Sequence, residues 1–372
     1  MLTLLRIIEG SKINLPKHPG TINWHYFIEC VRHHGVSGLL WKSISRDLFQ
    51  MSFPEYVRDW LRDSYYAIAA TNTLMLESLE EIQKEFQSRG IDFLTVKGSI
   101  LLNDIYDDIG TRPMNDIDIL VKPEELHIAN SVLLEIGYGN EDYSPKEYSR
   151  GAVALEVHTR LEELVTPVRL KMEFVPSTIS DKKIWLNRID NKLLGFPLST
   201  PSMEDMLALT VLHTAFKHEF ERFIWIIDFV RLIRKHVREK GWRAILKIAG
   251  DTGIHVLMND LLKYAQMALG LQVPSHVYRK LSNMGNSLLQ RELLSAVFKG
   301  RLDGLSRHAY SLVRTRTLRG KAAFLLRAFT PSKRVLAQQS GVRHTGLLSY
   351  LKHCGLISKQ ALKFTAAIIG IK

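Results

Sequence analysis

Cysteine is almost missing from this 372-residue chain: Cys30 and Cys354 are its only two, and they stand at opposite ends. That excludes a disulfide framework and fits a reducing cytosol. Long apolar runs are missing as well. No stretch approaches the roughly 18 apolar residues that read as a bilayer-spanning helix. The opening MLTLLRIIEGSK is too short for a signal peptide, and no small-residue cleavage site follows it. The expectation is a cytoplasmic protein with an ordinary buried core. Internal repeats and low-complexity segments are absent, which excludes a repeat architecture.

Acidic residues are scarce in one region only. Residues 271–372 hold 18 Lys+Arg against two acids, Glu292 and Asp303. This +16 exceeds the +12 of the whole chain, so residues 1–270 carry −4. An excess confined to the C-terminal quarter suggests an anionic partner: nucleic acid, anionic lipid or an acidic polymer. The alternative is a solvated basic surface on helices. Against lipid, the apolar ending FTAAIIGIK would serve as a weak anchor, making the protein peripheral to a membrane.

What is present falls into three parts. Residues 1–89 read as helical, with one long helix over 54–89 opened by Pro54 and closed by Gly90. Residues 90–200 change period. IDFLTVKG (91–98), NDIDILVK (115–122) and AVALEVHTRL (152–161) read as strands, and helices are expected over SILLNDIYDD and PEELHIANSVLLEIGY. Residues 139–151 read as a polar loop. Residues 201–372 read as helical almost throughout, through FIWIIDFVRLIRKHVREK, WRAILKIAG and HVLMNDLLKYAQMALG. The fold class is therefore α+β: an α/β core flanked by helical regions.

The chemistry gathers on the core strands. Asp116 and Asp118 are two apart on a strand and so share one face. Two adjacent carboxylates repel, and a hard divalent cation such as Mg²⁺ or Mn²⁺ removes that cost. In LEVHTRL, Glu156 and His158 share a face in the same way. If the two strands are neighbours, Glu156 completes a carboxylate triad able to support phosphoryl transfer. The first strand ends in Lys97-Gly98-Ser99 and runs into a helix. Gly98 permits close backbone approach, the helix N-terminus attracts anions, and Lys97 and Arg112 can neutralise phosphate. Each signal alone is common; their order and separation are not.

These residues resemble the signature of the DNA polymerase β-like nucleotidyltransferase superfamily. More closely, KGSILLNDIYDDIGTRPMNDIDILV followed by LEVHTRL is similar to the uncharacterised nucleotidyltransferase family. The resemblance extends to HTAFKH and WIIDF, where His213, His218 and Asp228 stand at family-like positions. It implies a polymerase β-like core with a small mixed sheet. It also implies transfer of a nucleoside monophosphate from an NTP, ATP above all, to an acceptor hydroxyl or phosphate, with release of pyrophosphate. Asp116, Asp118 and Glu156 would be catalytic and hold metal. Lys97, Gly98, Ser99 and Arg112 would bind nucleotide, and His158, His213 and Asp228 would be substrate or supporting groups. The acceptor is open: a small molecule, a peptide, a glycan-linked group or an RNA end. A non-catalytic anion-binding protein on the same scaffold is the remaining alternative. One departure stands out, the 16 residues between Ser99 and Asp116, an insertion expected to shape the pocket. Asp228, inside an apolar run, is expected to need a buried partner. Arg231 and His236 match the loose Arg-x4-His spacing of small helical ribonucleases, but Leu232 stands where those enzymes favour a polar residue.

Overall fold

A computed structural model describes residues 8–9, 22–46, 53–141, 144–165, 180–193, 195–217 and 222–284. The strongly basic stretch from 285 on, with FTAAIIGIK, lies outside the described residues, as does His218. The expected α+β architecture is found: a five-stranded mixed sheet with helices around it.

Two short helices, α1 (Trp24–His34) and α2 (Ser37–Ser45), precede the long α3 (Glu55–Ser88). Asn23 caps α1 by accepting from the Tyr26 N–H at 3.0 Å, and Gly35 ends it in the left-handed conformation. The buried stripe of α3 runs through Val57, Leu61, Met75, Leu79, Ile82 and Phe86, all at helical spacing. One polar residue interrupts it: Asn72, fully buried.

The core follows as β1 (Phe93–Val96), α4 (Gly98–Ile105), β2 (Ile117–Val121), a short 3₁₀ turn at Pro123–Glu125, and α5 (Leu126–Glu135). Next come β3 (Gly139–Glu141), β4 (Ser144–Arg150) and β5 (Val153–His158). The strand order is β1-β2-β5-β4-β3. β2 and β5 are parallel, and the other pairs are antiparallel. The parallel pair sits at the centre of the sheet, where Ile117, Ile119, Leu155 and Val157 bury one face.

The reading of 139–151 as a polar loop is overturned, because β3 and β4 occupy it. SPKEYSR shows no apolar alternation since Tyr148 alone is buried among residues 146–150. Its backbone groups pair with β5 all the same.

Helix α6 (Leu161–Val165), α7 (Asp181–Leu186) and the hairpin of β6 (Ile189–Leu193) and β7 (Phe196–Thr200) lead to the C-terminal helices. These are α8 (Met203–Leu212), a π turn (His213–Lys217), α9 (Phe223–Asp251), α10 (His255–Leu269) and α11 (Ser275–Asn283). Gly241, at φ 75° and ψ 171°, breaks α9 where the sequence separates two helical runs. α9 packs against α8, α10 and α4, which carries Asp228 up to the core. Among the described residues, no helix is long and apolar enough to cross a membrane.

Candidate active site

Strand register builds the site. Asp118 lies opposite Glu156 in the parallel β2–β5 pair, so both carboxylates leave the same face at the same level. His158, two residues on, shares that face. Ligand atoms of Asp118, Glu156 and His158 lie within 4.8 Å of one another. His158 Nε2 is 2.8 Å from Asp118 Oδ1 and 3.4 Å from Glu156 Oε2. Nε2 thus has a carboxylate on either side, both of them acceptors for a ring N–H. Asp118 is 3 % exposed, which fixes its carboxylate far more tightly than a surface acid.

The β1–α4 junction closes the site from the other side. Lys97 adopts φ 58° and ψ −124°; among the described residues it alone has positive φ without being glycine. Such a conformation costs of order 1–3 kcal/mol and persists only where the surroundings enforce it. Its reward is reach: Lys97 Nζ meets Asp118 Oδ1 at 2.5 Å. Ser99, in the first turn of α4, is 1 % exposed and its Oγ has no hydrogen-bond partner. A buried hydroxyl without a partner is costly unless a ligand supplies one.

Gly98 lets Arg112 approach closely. A Cβ there would stand 3.2 Å from Arg112 Nη1 and 3.5 Å from Met114 Cγ. The guanidinium therefore lies against the turn that opens α4, yet it is itself buried and held. Arg112 Nε and Nη2 donate to Asp228 Oδ1 and Oδ2 at 2.9 and 2.8 Å. Tyr106 donates to the same Oδ1 at 2.7 Å. Asp228 thus has the buried partner that its apolar run demands. Burial first, then the Asp228 charge, pushes the Tyr106 phenol well above its usual range. For Arg112, burial opposes the charge, but Asp228, then Tyr106 and Asp116, hold the guanidinium protonated.

The insertion between Ser99 and Asp116 is anchored by residues that sequence reasoning missed. Asn72 Nδ2 donates to the Ile109 and Arg112 carbonyls at 2.7 and 2.8 Å, and its Oδ1 accepts from the Met114 N–H at 3.1 Å. Tyr65 donates to Asp108 at 2.9 Å, and Lys42 pairs with Asp108 at 2.8 Å. An Asn inside an apolar helical stripe was the available signal.

Not every anticipated residue joins the compact group. Asp116, half-buried, sits just ahead of β2 and outside the Asp118–Glu156–His158 cluster. His213 begins the π turn with its ring edge-on to Trp225 at 6.2 Å. Arg231 ion-pairs with Glu9 at 3.0 Å and lies over the Tyr106 ring, and His236 is fully buried. That leaves neither of the two exposed for cleavage chemistry.

The family model of uncharacterised nucleotidyltransferases matches residues 20–270, well over half of the chain. The chain belongs to this family. Neither a curated protein nor a solved structure shows significant similarity to it. Membership makes nucleotidyl transfer its general reaction class, and residues 20–270 of this nucleotidyltransferase contain the whole site described above.

Proposed function

We propose that this nucleotidyltransferase moves a nucleoside monophosphate from an NTP, with ATP the first donor to test, onto an acceptor oxygen. The reading rests above all on the register that puts Asp118 and Glu156 side by side, next to the Lys97-Gly98-Ser99 turn.

The donor set fits a divalent cation. Two carboxylates on one sheet face favour Mg²⁺ or Mn²⁺, and the buried Asp118 is already oriented by His158. Asp118 and Glu156 would hold the ion, with Asp116 joining from just ahead of β2. Bound there, the cation would screen the triphosphate and stabilise charge on the transferring phosphoryl group. The N–H groups that open α4, together with Ser99 Oγ and Lys97, receive the terminal phosphates. Arg112, braced by Asp228, adds fixed positive charge beneath Gly98. The acceptor oxygen bonds to the α-phosphorus as the α–β bridging bond breaks. Pyrophosphate leaves, and the acceptor proton passes to Glu156. The rate gain is positional and electrostatic.

The +16 of residues 271–372 supports an added contact with an anionic surface or polymer. Incubation with four α-³²P-labelled NTPs, Mg²⁺ and candidate acceptors should give label transfer. Replacing both Asp116 and Asp118 by Ala should cut it by about 10³-fold or more, the scale of losing a charge-stabilising group. Equal transfer by that double variant, with native circular dichroism, would overturn the proposal.

A further inference from the structure

The carboxylate row is longer than the sequence signature. Glu147 of β4 lies directly opposite Glu156 of β5, which lies opposite Asp118 of β2. Residues directly opposed across strands have Cβ atoms about 5 Å apart, and like charges so placed destabilise a sheet. Glu147 is half-buried and makes no hydrogen bond or ion pair among the described residues. The neighbouring cations of β4 are occupied elsewhere. Lys146 serves Thr159 and Glu163 at 2.8 and 2.6 Å, and Arg150 serves Glu81 and the Ile136 carbonyl. Beside Glu147 on the same face, Ala154, Ser149 and Gly139 stand in register, so small side chains leave the sheet open there.

Direction comes from the far end of the row. Lys97, α4 and the unpartnered, buried Ser99 Oγ follow β1, on the other side of β2 from β5 and β4. In phosphoryl transfer the attacking and leaving oxygens lie in line, on opposite sides of the phosphorus. With pyrophosphate leaving on the β1 side, the acceptor enters over β4. An ionised carboxylate only accepts hydrogen bonds, and it repels phosphate. We infer that Glu147 receives the acceptor and selects a neutral or cationic molecule rich in hydroxyl or ammonium donors, such as a polyol or amino sugar, over a phosphate-bearing polymer. This inference rests on the nucleotidyl-transfer reading above.

The test uses the full chain. Small molecules of a cell extract are separated by ion exchange into cationic, neutral and anionic pools, with total transfer RNA as a fourth arm. Each is incubated with the protein, Mg²⁺ and the four α-³²P-labelled NTPs. Label should enter the cationic or neutral pool. Glu147→Gln should lower kcat/KM for the labelled acceptor by about tenfold or more, mainly through KM, as expected for one lost charge-assisted hydrogen bond. Glu147→Asp should retain part of the activity, and neither variant should alter affinity for a non-hydrolysable ATP analogue with Mn²⁺. Label confined to the anionic pool or RNA, or a Glu147→Gln variant equal to wild type, would overturn the inference and leave nucleotidyl transfer standing. No label in any arm would overturn both.

Discussion

Replacing Asp228 by Asn should destabilise the protein by about 3–5 kcal/mol, the usual cost of stripping one partner from a buried ion pair. Asp228 is 1 % exposed and Arg112 is 7 % exposed, so water cannot take over the lost contacts. Asparagine keeps the shape of the side chain but removes its charge. Three donors now converge on it: Arg112 Nε, Arg112 Nη2 and the Tyr106 hydroxyl. The amide offers one acceptor oxygen and turns an NH₂ toward the guanidinium. Arg112 is then left charged and buried, with its bidentate partner gone and only the charge of Asp116 to offset it. Urea unfolding, followed by circular dichroism and extrapolated linearly, measures the loss. The double variant Arg112→Met, Asp228→Leu removes both charges and should lie closer to wild type in stability than Asp228→Asn does. Yet it should bind ATP more weakly, because Nη1 no longer lies against Gly98. A loss below about 1 kcal/mol for Asp228→Asn would refute the reasoning, since it would mean that Arg112 finds water or another acid.

Two further perturbations probe the scaffold. Asn72→Leu would leave the Ile109 and Arg112 carbonyls and the Met114 N–H without their buried partner. At about 1–3 kcal/mol per orphaned group, it should be among the most destabilising substitutions in α3, with faster amide exchange across 109–114 as the readout. His236 has a pKa lowered from 6.5, by burial first, with Lys240 adding to that and Glu204 and Glu239 opposing it. The folded protein therefore takes up this proton less readily than the unfolded chain. Above pH 6.5 neither state binds it and the residue is neutral in the balance. As pH falls through 6.5 the unfolded chain gains the proton, so stability falls. His236→Leu should flatten that part of a stability–pH curve; an unchanged slope would count against the assignment.

The sequence made the central strands legible because one face of each is apolar and fully buried. Ile117, Ile119 and Val121 recur at every second position, with Asp116 and Asp118 alternating with the first two, and that period of two marks a strand. β4 was illegible for the opposite reason. SPKEYSR carries Pro145, buries only Tyr148 among residues 146–150, and owes its place to backbone pairing with β5, which leaves no mark on composition. The hairpin β6–β7 escaped because both strands are short: residues 189–192 are mostly exposed, and β7 buries only Leu198 and Thr200. Register is a property of two distant segments, so the sequence could place Asp118 and Glu156 on strands but not opposite each other. It could place Glu147 nowhere. For Asp228 the sequence announced a need, a charge in an apolar run, without naming the residue that meets it 116 positions away.

That need explains the path of the chain between α4 and Asp116. A loop of this length would ordinarily bring mobility to the edge of a site. Here Asn72 holds its backbone, Lys42 and Tyr65 hold Asp108, and Arg112 is clamped by Asp228 from α9. The helices before and after the sheet thus meet at one loop, and the loop ends in Met114 and Arg112 against Gly98. Rigidity at the turn opening α4 is therefore borrowed from both helical regions. It follows that the sheet without the helices before and after it would lose the Asn72 and Asp228 contacts that brace the turn opening α4. That is a physical reason for the family match to run from residue 20 to residue 270 rather than over the sheet alone.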